Sequence, residues 1–167
     1  MILWPAVCQP HIRMLMSAPR YMTRPVTADD AEVVARFLTH LGHPTDAADV
    51  PSRLGEVAAE GGGAFLHVDQ SGRALGFFSV ARHSVLHAPG PIGLITSLVV
   101  AEDARRLGVG RAMVAAAQEW ARDAGCVRLL VTSGEHRPDA HSFYPACGMA
   151  YSGRRFSVSF PLPTDAR

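Results

Sequence analysis

The apolar positions of this chain switch between a period near two and a period near 3.6, and the switch points divide it into elements. Tyr21 to Val26 reads as a first strand. Thr27-Ala28-Asp29-Asp30 then offers a capping side-chain oxygen and first-turn acids, and Val33, Val34, Phe37, Leu38 and Leu41 follow at helical spacing. Gly42 and Pro44 end that helix. A second helix is predicted over Asp49–Ala59, with Val50, Leu54 and Val57 inward and Gly61-Gly62-Gly63 as its stop. Ala64–Val68 and Arg73–Ala81 pattern as a hairpin around Asp69-Gln70-Ser71-Gly72. After the loop His83–Pro91 comes Ile92–Val100, the most apolar strand and therefore the one expected to be central.

The clearest helix runs from Gly108 to Ala124. Val109, Met113, Ala116, Ala117, Trp120 and Ala124 fall on one stripe, and Arg111, Gln118, Glu119, Arg122 and Asp123 fall outside it. Gly125 stops it. Val127–Thr132 is a strand, and Pro138–Ala146 is a short helix with Pro in its first turn and Gly148 beyond its end. Met149–Tyr151 and Arg155–Phe160 are predicted to close the sheet as a β pair around Ser152-Gly153. The order β-α-α-β-β-β-α-β-α-β-β mixes hairpins with crossovers. It predicts an α/β fold of the mixed α+β kind, not a doubly wound parallel sheet.

Composition narrows the chemistry. The 167 residues suit one domain, 48% of them are hydrophobic and the net charge is +1, so nothing favours bulk attraction to nucleic acid or to an anionic membrane. Every basic residue besides His is Arg, which excludes a Schiff-base Lys and a P-loop Lys. Cys8, Cys126 and Cys147 are odd in number and form no Cys-x-x-Cys pair, which fits a reducing cytoplasm and neither a disulfide framework nor a zinc knuckle. His40 with His43, and His83 with His87, lack acidic or thiol partners, so no metal is expected. Residues 1–20 are read as an extension before the domain, with Met14, Met16 and Met22 as alternative starts. The domain spans residues 21–160 and a tail spans 161–167. The apolar stretch at the start is broken by Pro5, Pro10 and Arg13 and is too short to span a bilayer.

The chemical signal lies where the apolar strand runs into Arg105-Arg106-Leu107-Gly108-Val109-Gly110-Arg111 and then into the long helix. A helix start has free N–H groups and a positive dipole end, and the glycines allow close approach to an anion. Three arginines stand where carboxylates are normally favoured, an order that opposes the dipole unless an anion fills the site. A P-loop would need Gly-Lys-Ser/Thr. A dinucleotide fingerprint would need Gly or Ala where Met113 stands.

These residues resemble the GNAT N-acetyltransferase superfamily. Arg105, Gly108 and Gly110 match its Gln/Arg-x-x-Gly-x-Gly/Ala turn, Leu98-Val99-Val100 its coenzyme-binding strand, and Phe143-Tyr144-Pro145-Ala146-Cys147-Gly148-Met149 its second signature. Arg137, Ala140, His141, Phe143 and Tyr144 also match an Arg-x-x-Ala-His-x-Phe-Tyr pattern of some members. The resemblance implies a mostly antiparallel sheet of six to seven strands, flanked by about four helices and splayed at the central coenzyme-binding strand. It implies acetyl-CoA as cosubstrate. The backbone of Leu98 and Val100 would bind the pantetheine arm, the N–H groups from Arg106 through Leu107, Gly108, Val109 and Gly110 to Arg111 the pyrophosphate, and Arg137 would stand where many members have a coenzyme-contacting Asn. Tyr144 would protonate the departing thiolate as an amine attacks the thioester directly, a role that suits a phenol of ordinary pKa ~10. The strand N–H of Leu98 would polarise the oxyanion. The usual strand carboxylate is absent: Thr96 and Ser97 stand there, with Asp139, Glu135 and His83 as other candidate bases.

The expected acceptor is a primary amine, on a small molecule, in a groove shaped by 37–57, by 83–91 and by the closing β pair. The lack of an acidic cluster in these segments disfavours a polycation. A homodimer is left open. Alternatives are a protein N-terminal acetyltransferase, a non-catalytic acyl-CoA-binding regulatory domain, and a nucleotide-binding protein using the same turn.

Overall fold

A computed structural model describes residues 21–160 apart from 136. The expected extension and the tail lie outside the described residues. Five strands form one sheet in the order β1-β2-β3-β4-β5: β1 Tyr21–Pro25, β2 Gly63–Asp69, β3 Ala74–His83, β4 Ile92–Val100 and β5 Arg128–Val131. The first three pairings are antiparallel and β4–β5 is parallel. The middle strand is β3, so β4 is penultimate and not central. Its apolar run reflects burial on both faces, which does not require the middle position.

Four α-helices accompany the sheet: α1 Ala31–His40, α2 Val50–Ala59, α3 Val109–Asp123 and α4 Pro138–Ala146. The period-two alternation of β3 and β4 divides the core. Phe78, Val80 and Ile95 pack with Val109, Met113 and Ala117 of α3. Phe77, Val99, Leu66 and Val68 pack on the other face with Val34 and Val50 of α1 and α2. The buried stripe of α3 also takes in Val114 and Ala121, and Trp120 packs against its edge. Gly76 lets α3 approach closely, because a Cβ there would meet the Met113 sulfur at 2.5 Å.

The predicted closing β pair does not form. Residues 150–160 belong to no strand and are exposed. A lone pair of short strands has little stability until a further layer covers its apolar side, and Tyr151, Phe156, Val158 and Phe160 remain in solvent.

The entry to α1 carries the expected cap one turn earlier: residues Ala28–Asp30 form a 3-10 turn before the helix, and Thr27 and Asp30 cap each other reciprocally as a capping box. The Thr27 N–H and hydroxyl both donate to the Asp30 carboxylate, at 2.9 and 3.0 Å. Arg24 of β1 donates to both oxygens of the same carboxylate at 2.7 Å. These bonds tie β1 to α1 and hold the buried carboxyl well below the usual carboxylate range, with Arg24 as the main cause. A carboxyl depressed in the fold contributes fully above its ordinary pKa of ~4, and that contribution fades as pH falls further. Asp30→Asn is therefore expected to cost about 2 kcal/mol at pH 7, with a smaller cost at pH 3. Urea unfolding at both pH values checks this, and an equal deficit at the two would contradict it.

Candidate active site

The site begins with a register shift. Ser79 pairs with Ser97, but the next residue, Val80, pairs with Ile95, so Thr96 is an extra residue in β4. Such a bulge bends its strand and interrupts pairing. The pairing of β4 with β5 ends at Ile95–Val131, immediately before it. From Thr96 to Val100, β4 is therefore paired to β3 alone among the described residues, and the two strands part there. A splay at this strand is what the family resemblance implies.

The direction of the freed backbone follows from the ladder. The Ala101 N–H donates to the Leu75 carbonyl at 2.9 Å. Hydrogen-bonded pairs in an antiparallel ladder recur at every second residue. Val99 therefore also faces β3, while Leu98 and Val100 turn their N–H and C=O groups into the gap beyond β5. Both are the positions singled out from sequence. At the bulge the Ser79 and Thr96 hydroxyls lie 2.7 Å apart, and Thr96 is exposed.

Beyond β4, a 3-10 turn at Glu102–Ala104 leads to Arg105, Arg106 and Leu107, then Gly108 begins α3. Arg106 is the only non-glycine residue with positive φ among those described, at 64°, and Gly108 follows at 85°. A bulky side chain in this conformation is uncommon and marks a constrained backbone. The first turn of α3 has no side-chain cap and no acidic residue. Its N–H groups and its dipole are thus free to meet an anion.

The arginine side chains are placed differently from the backbone. Arg105 bonds the His40 ring at 2.9 Å, and Arg111 donates to the Ala146 carbonyl at the end of α4 at 2.6 Å. Arg111 there adds to a helix C-terminus that the backbone N–H groups of Cys147, Gly148 and Met149 already close onto Phe143, Tyr144 and Pro145. Arg106 and Leu107 are exposed. What the turn presents toward a ligand is therefore chiefly backbone.

The two signature segments meet at Gly110. A Cβ there would stand 3.2 Å from the Phe143 ring and 3.5 Å from Val100. Gly110 is needed for space, and Gly108 for conformation, since nothing lies within 4 Å of a Cβ at 108. Phe143 packs edge-on against Tyr144, with ring centroids 5.1 Å apart. Gln118 donates to the Cys147 carbonyl at 3.3 Å, a second tie between α3 and α4. Burial raises the Tyr144 phenol above its ordinary value, against a smaller opposing effect of Arg137. Burial likewise raises the half-buried Cys147 thiol, which is therefore no ready nucleophile.

Of the other candidates only Arg137 lies near enough to Tyr144 to act on its phenol. Arg137 is exposed at the start of α4, and Glu135 and Asp139 are exposed on either side of it. His83 ends β3 opposite Ile92. His141 is held by the Gly134 carbonyl at 3.1 Å, a structural role. A cleft of about 610 Å³ opens elsewhere, between α1, the β2–β3 turn and Glu102. An open slot along a sheet encloses little volume, so the strand backbone is the better guide to the coenzyme edge. The Ser79–Thr96 pair had no sequence signal, because a bulge is a property of pairing. Among the described residues no His, Cys, Asp and Glu cluster could hold a metal, and no helix is long and apolar enough to cross a membrane.

Comparison with known proteins bears on the family and the fold. Residues 32–149 match the model of the acetyltransferase (GNAT) family. The chain is 34% identical over 157 residues to an aminoglycoside N(6')-acetyltransferase type 1 from Stenotrophomonas maltophilia, covering 92% of this chain and 100% of the relative. Among solved structures, AAC(6')-Iy with the bisubstrate analogue CoA-S-monomethyl-acetylneamine superposes with a TM-score of 0.71 at 19% identity, covering 85% of this chain and 99% of that one. Glucosamine-6-phosphate N-acetyltransferase from Arabidopsis thaliana gives 0.72 at 19%, covering 84% and 99%. At these identities the structures speak for the fold alone.

The steric reading of Gly110 is open to test. Gly110→Ala is expected to weaken acetyl-CoA binding several-fold by displacing Phe143, and Phe143→Leu in the same chain is expected to restore part of the loss. Titration calorimetry on the single and double variants measures this. Strictly additive losses would show that the Gly110–Phe143 contact is not the cause.

Proposed function

The chain belongs to the GNAT acetyltransferase family and is an acetyl-CoA-dependent N-acetyltransferase, and from that premise we propose that its acceptor is a primary amine on a small molecule of the aminoglycoside class. The observation that carries this reading is the 34% identity to a relative named for aminoglycoside 6'-acetylation, held over that relative's whole length. The polycation objection raised by the sequence rests on the lack of an acidic cluster in the groove segments, and it weighs less than a full-length likeness.

The roles proposed are those the family resemblance implies, and the geometry supports them. The backbone of Leu98 and Val100 adds the pantetheine arm as a strand is added to a sheet edge. The N–H groups of residues 106–111 receive the pyrophosphate at the start of α3. The residues present fit this group: the helix start is uncapped, and Arg106 and Gly108 are held in the left-handed region. The amine attacks the thioester carbonyl, whose oxygen is polarised by the Leu98 N–H. Tyr144 supplies the proton to the leaving thiolate. A phenol is protonated at neutral pH by its ordinary pKa of ~10, and burial raises that of Tyr144 further. The proton of the amine leaves through water at the exposed Ser79–Thr96 hydroxyls.

Thiol release from acetyl-CoA tests the acceptor across aminoglycosides with a free 6'-amine, polyamines, amino acids and peptide N-termini. Turnover is expected with the first class. Turnover confined to peptide N-termini would overturn the reading. Tyr144→Phe is expected to lower kcat by about 10²–10⁴ with little change in KM for acetyl-CoA. Because the phenol pKa is raised, the rate is expected to show no falling limb assignable to Tyr144 below pH ~10. A falling limb near neutrality that vanishes in Tyr144→Phe would contradict its role as acid.

A further inference from the structure

His40 ends α1 beside the coenzyme turn, and nothing in the proposed chemistry uses it. Its ring is exposed, and the Arg105 guanidinium lies 2.9 Å from its Nε2. A guanidinium only donates, and it keeps its proton. The contact is a hydrogen bond only when His40 Nε2 accepts, so the ring is neutral with its proton on Nδ1. The end of a helix also favours a cation, because its last carbonyls carry the negative end of the dipole. Arg105 therefore has two reasons to lie against His40.

This contact restrains the approach to the turn. Arg105 immediately precedes Arg106, whose φ of 64° persists only where its neighbours over-determine it. Arg105 is held twice, by its N–H on the Glu102 carbonyl at 3.3 Å and by its side chain on His40. Glu102 also brings a carboxylate oxygen to 3.8 Å from the same Nε2. Protonating the ring removes the accepting lone pair, sets two cations against each other and turns the Nε2 N–H toward Glu102. The other charged groups around the ring are Arg36 and Glu32 on α1, Asp46 beyond it, and Arg73 of the β2–β3 turn, itself paired with Asp103 at 2.7 Å. Of the carboxylates, Glu102 alone forms an ion-pair contact with the ring among the described residues.

We propose that neutral His40 is a positioning residue for coenzyme binding, holding Arg105 and through it the left-handed turn that receives the pyrophosphate. The inference rests on the placement of that pyrophosphate at residues 106–111. His40 touches no reacting atom, so it acts on affinity for the coenzyme and not on the chemical step, and protonation of its ring abolishes the effect.

The test is calorimetric titration with CoA, together with steady-state kinetics, on the full chain and on His40→Ala, His40→Gln and Gly108→Val, with circular dichroism to establish that each variant is folded. Gln keeps an acceptor at similar reach and does not titrate. His40→Ala is expected to weaken CoA binding about fivefold, the loss of one hydrogen bond, and to raise KM for acetyl-CoA with kcat unchanged. His40→Gln is expected to match the unaltered chain at pH ~8, and on going to pH ~5.5 the unaltered chain is expected to fall away from His40→Gln and approach His40→Ala. The coenzyme's own phosphate titrates alike in every chain and cancels in this comparison. His40→Gln as weak as His40→Ala at the higher pH, or an unaltered chain that follows His40→Gln throughout, would overturn the proposal while Gly108→Val still weakens binding. If Gly108→Val binds CoA as tightly as the unaltered chain, the pyrophosphate placement itself fails and the proposal falls with it.

Discussion

The site depends on one extra residue in a strand. Thr96 has no partner of its own on β3, and pairing of β4 with β5 stops immediately before it. A regular β4 would keep its ladder with β5 and bury the N–H and C=O groups of Leu98 and Val100 in the sheet. The bulge leaves those groups facing a gap. An exposed sheet edge normally invites any strand, and here the gap is bounded by α3 and α4 and suits a linear amide-bearing arm. Fold and proposed chemistry meet in a backbone irregularity, with no reactive side chain required at that point.

The second constraint is the docking of α4 on α3. α4 is short, contains Pro145 and buries no residue fully, so its own helical stability is slight. It is held by Phe143 against Gly110, by Arg111 on the Ala146 carbonyl and by Gln118 on the Cys147 carbonyl. These contacts fix Tyr144 relative to the start of α3. They also explain why two signatures more than thirty positions apart act as one unit: the turn that would bind the pyrophosphate is the surface on which the proposed acid is seated.

Much of this was legible in the residues. The helical stripes of α1, α2 and α3 and the hairpin around Asp69–Gly72 follow directly from period and turn chemistry. The proposal of an anion site at 105–111 rests on glycines and dipole, both readable in the sequence. Other features depend on pairing, which a linear pattern does not encode. β4 looked central because an apolar run reports burial on two faces and not rank in a sheet. The bulge at Thr96 exists only relative to Ser79 and Val80. The closing β pair was drawn from a sound alternation at Phe156, Val158 and Phe160, but alternation states a capacity to pair and names no partner. The arginines of the turn were read as one cluster, yet Arg105 and Arg111 reach in different directions to His40 and Ala146.

The central claim is that coenzyme lies along the freed edge of β4 with its pyrophosphate on the start of α3. A crystal structure of the chain with CoA tests it most directly. The account predicts pantetheine amides hydrogen-bonded to the backbone of Leu98 and Val100 and phosphate oxygens on the N–H groups of residues 106–111. CoA seated instead in the cleft between α1 and the β2–β3 turn, with the β4 edge empty, would contradict it.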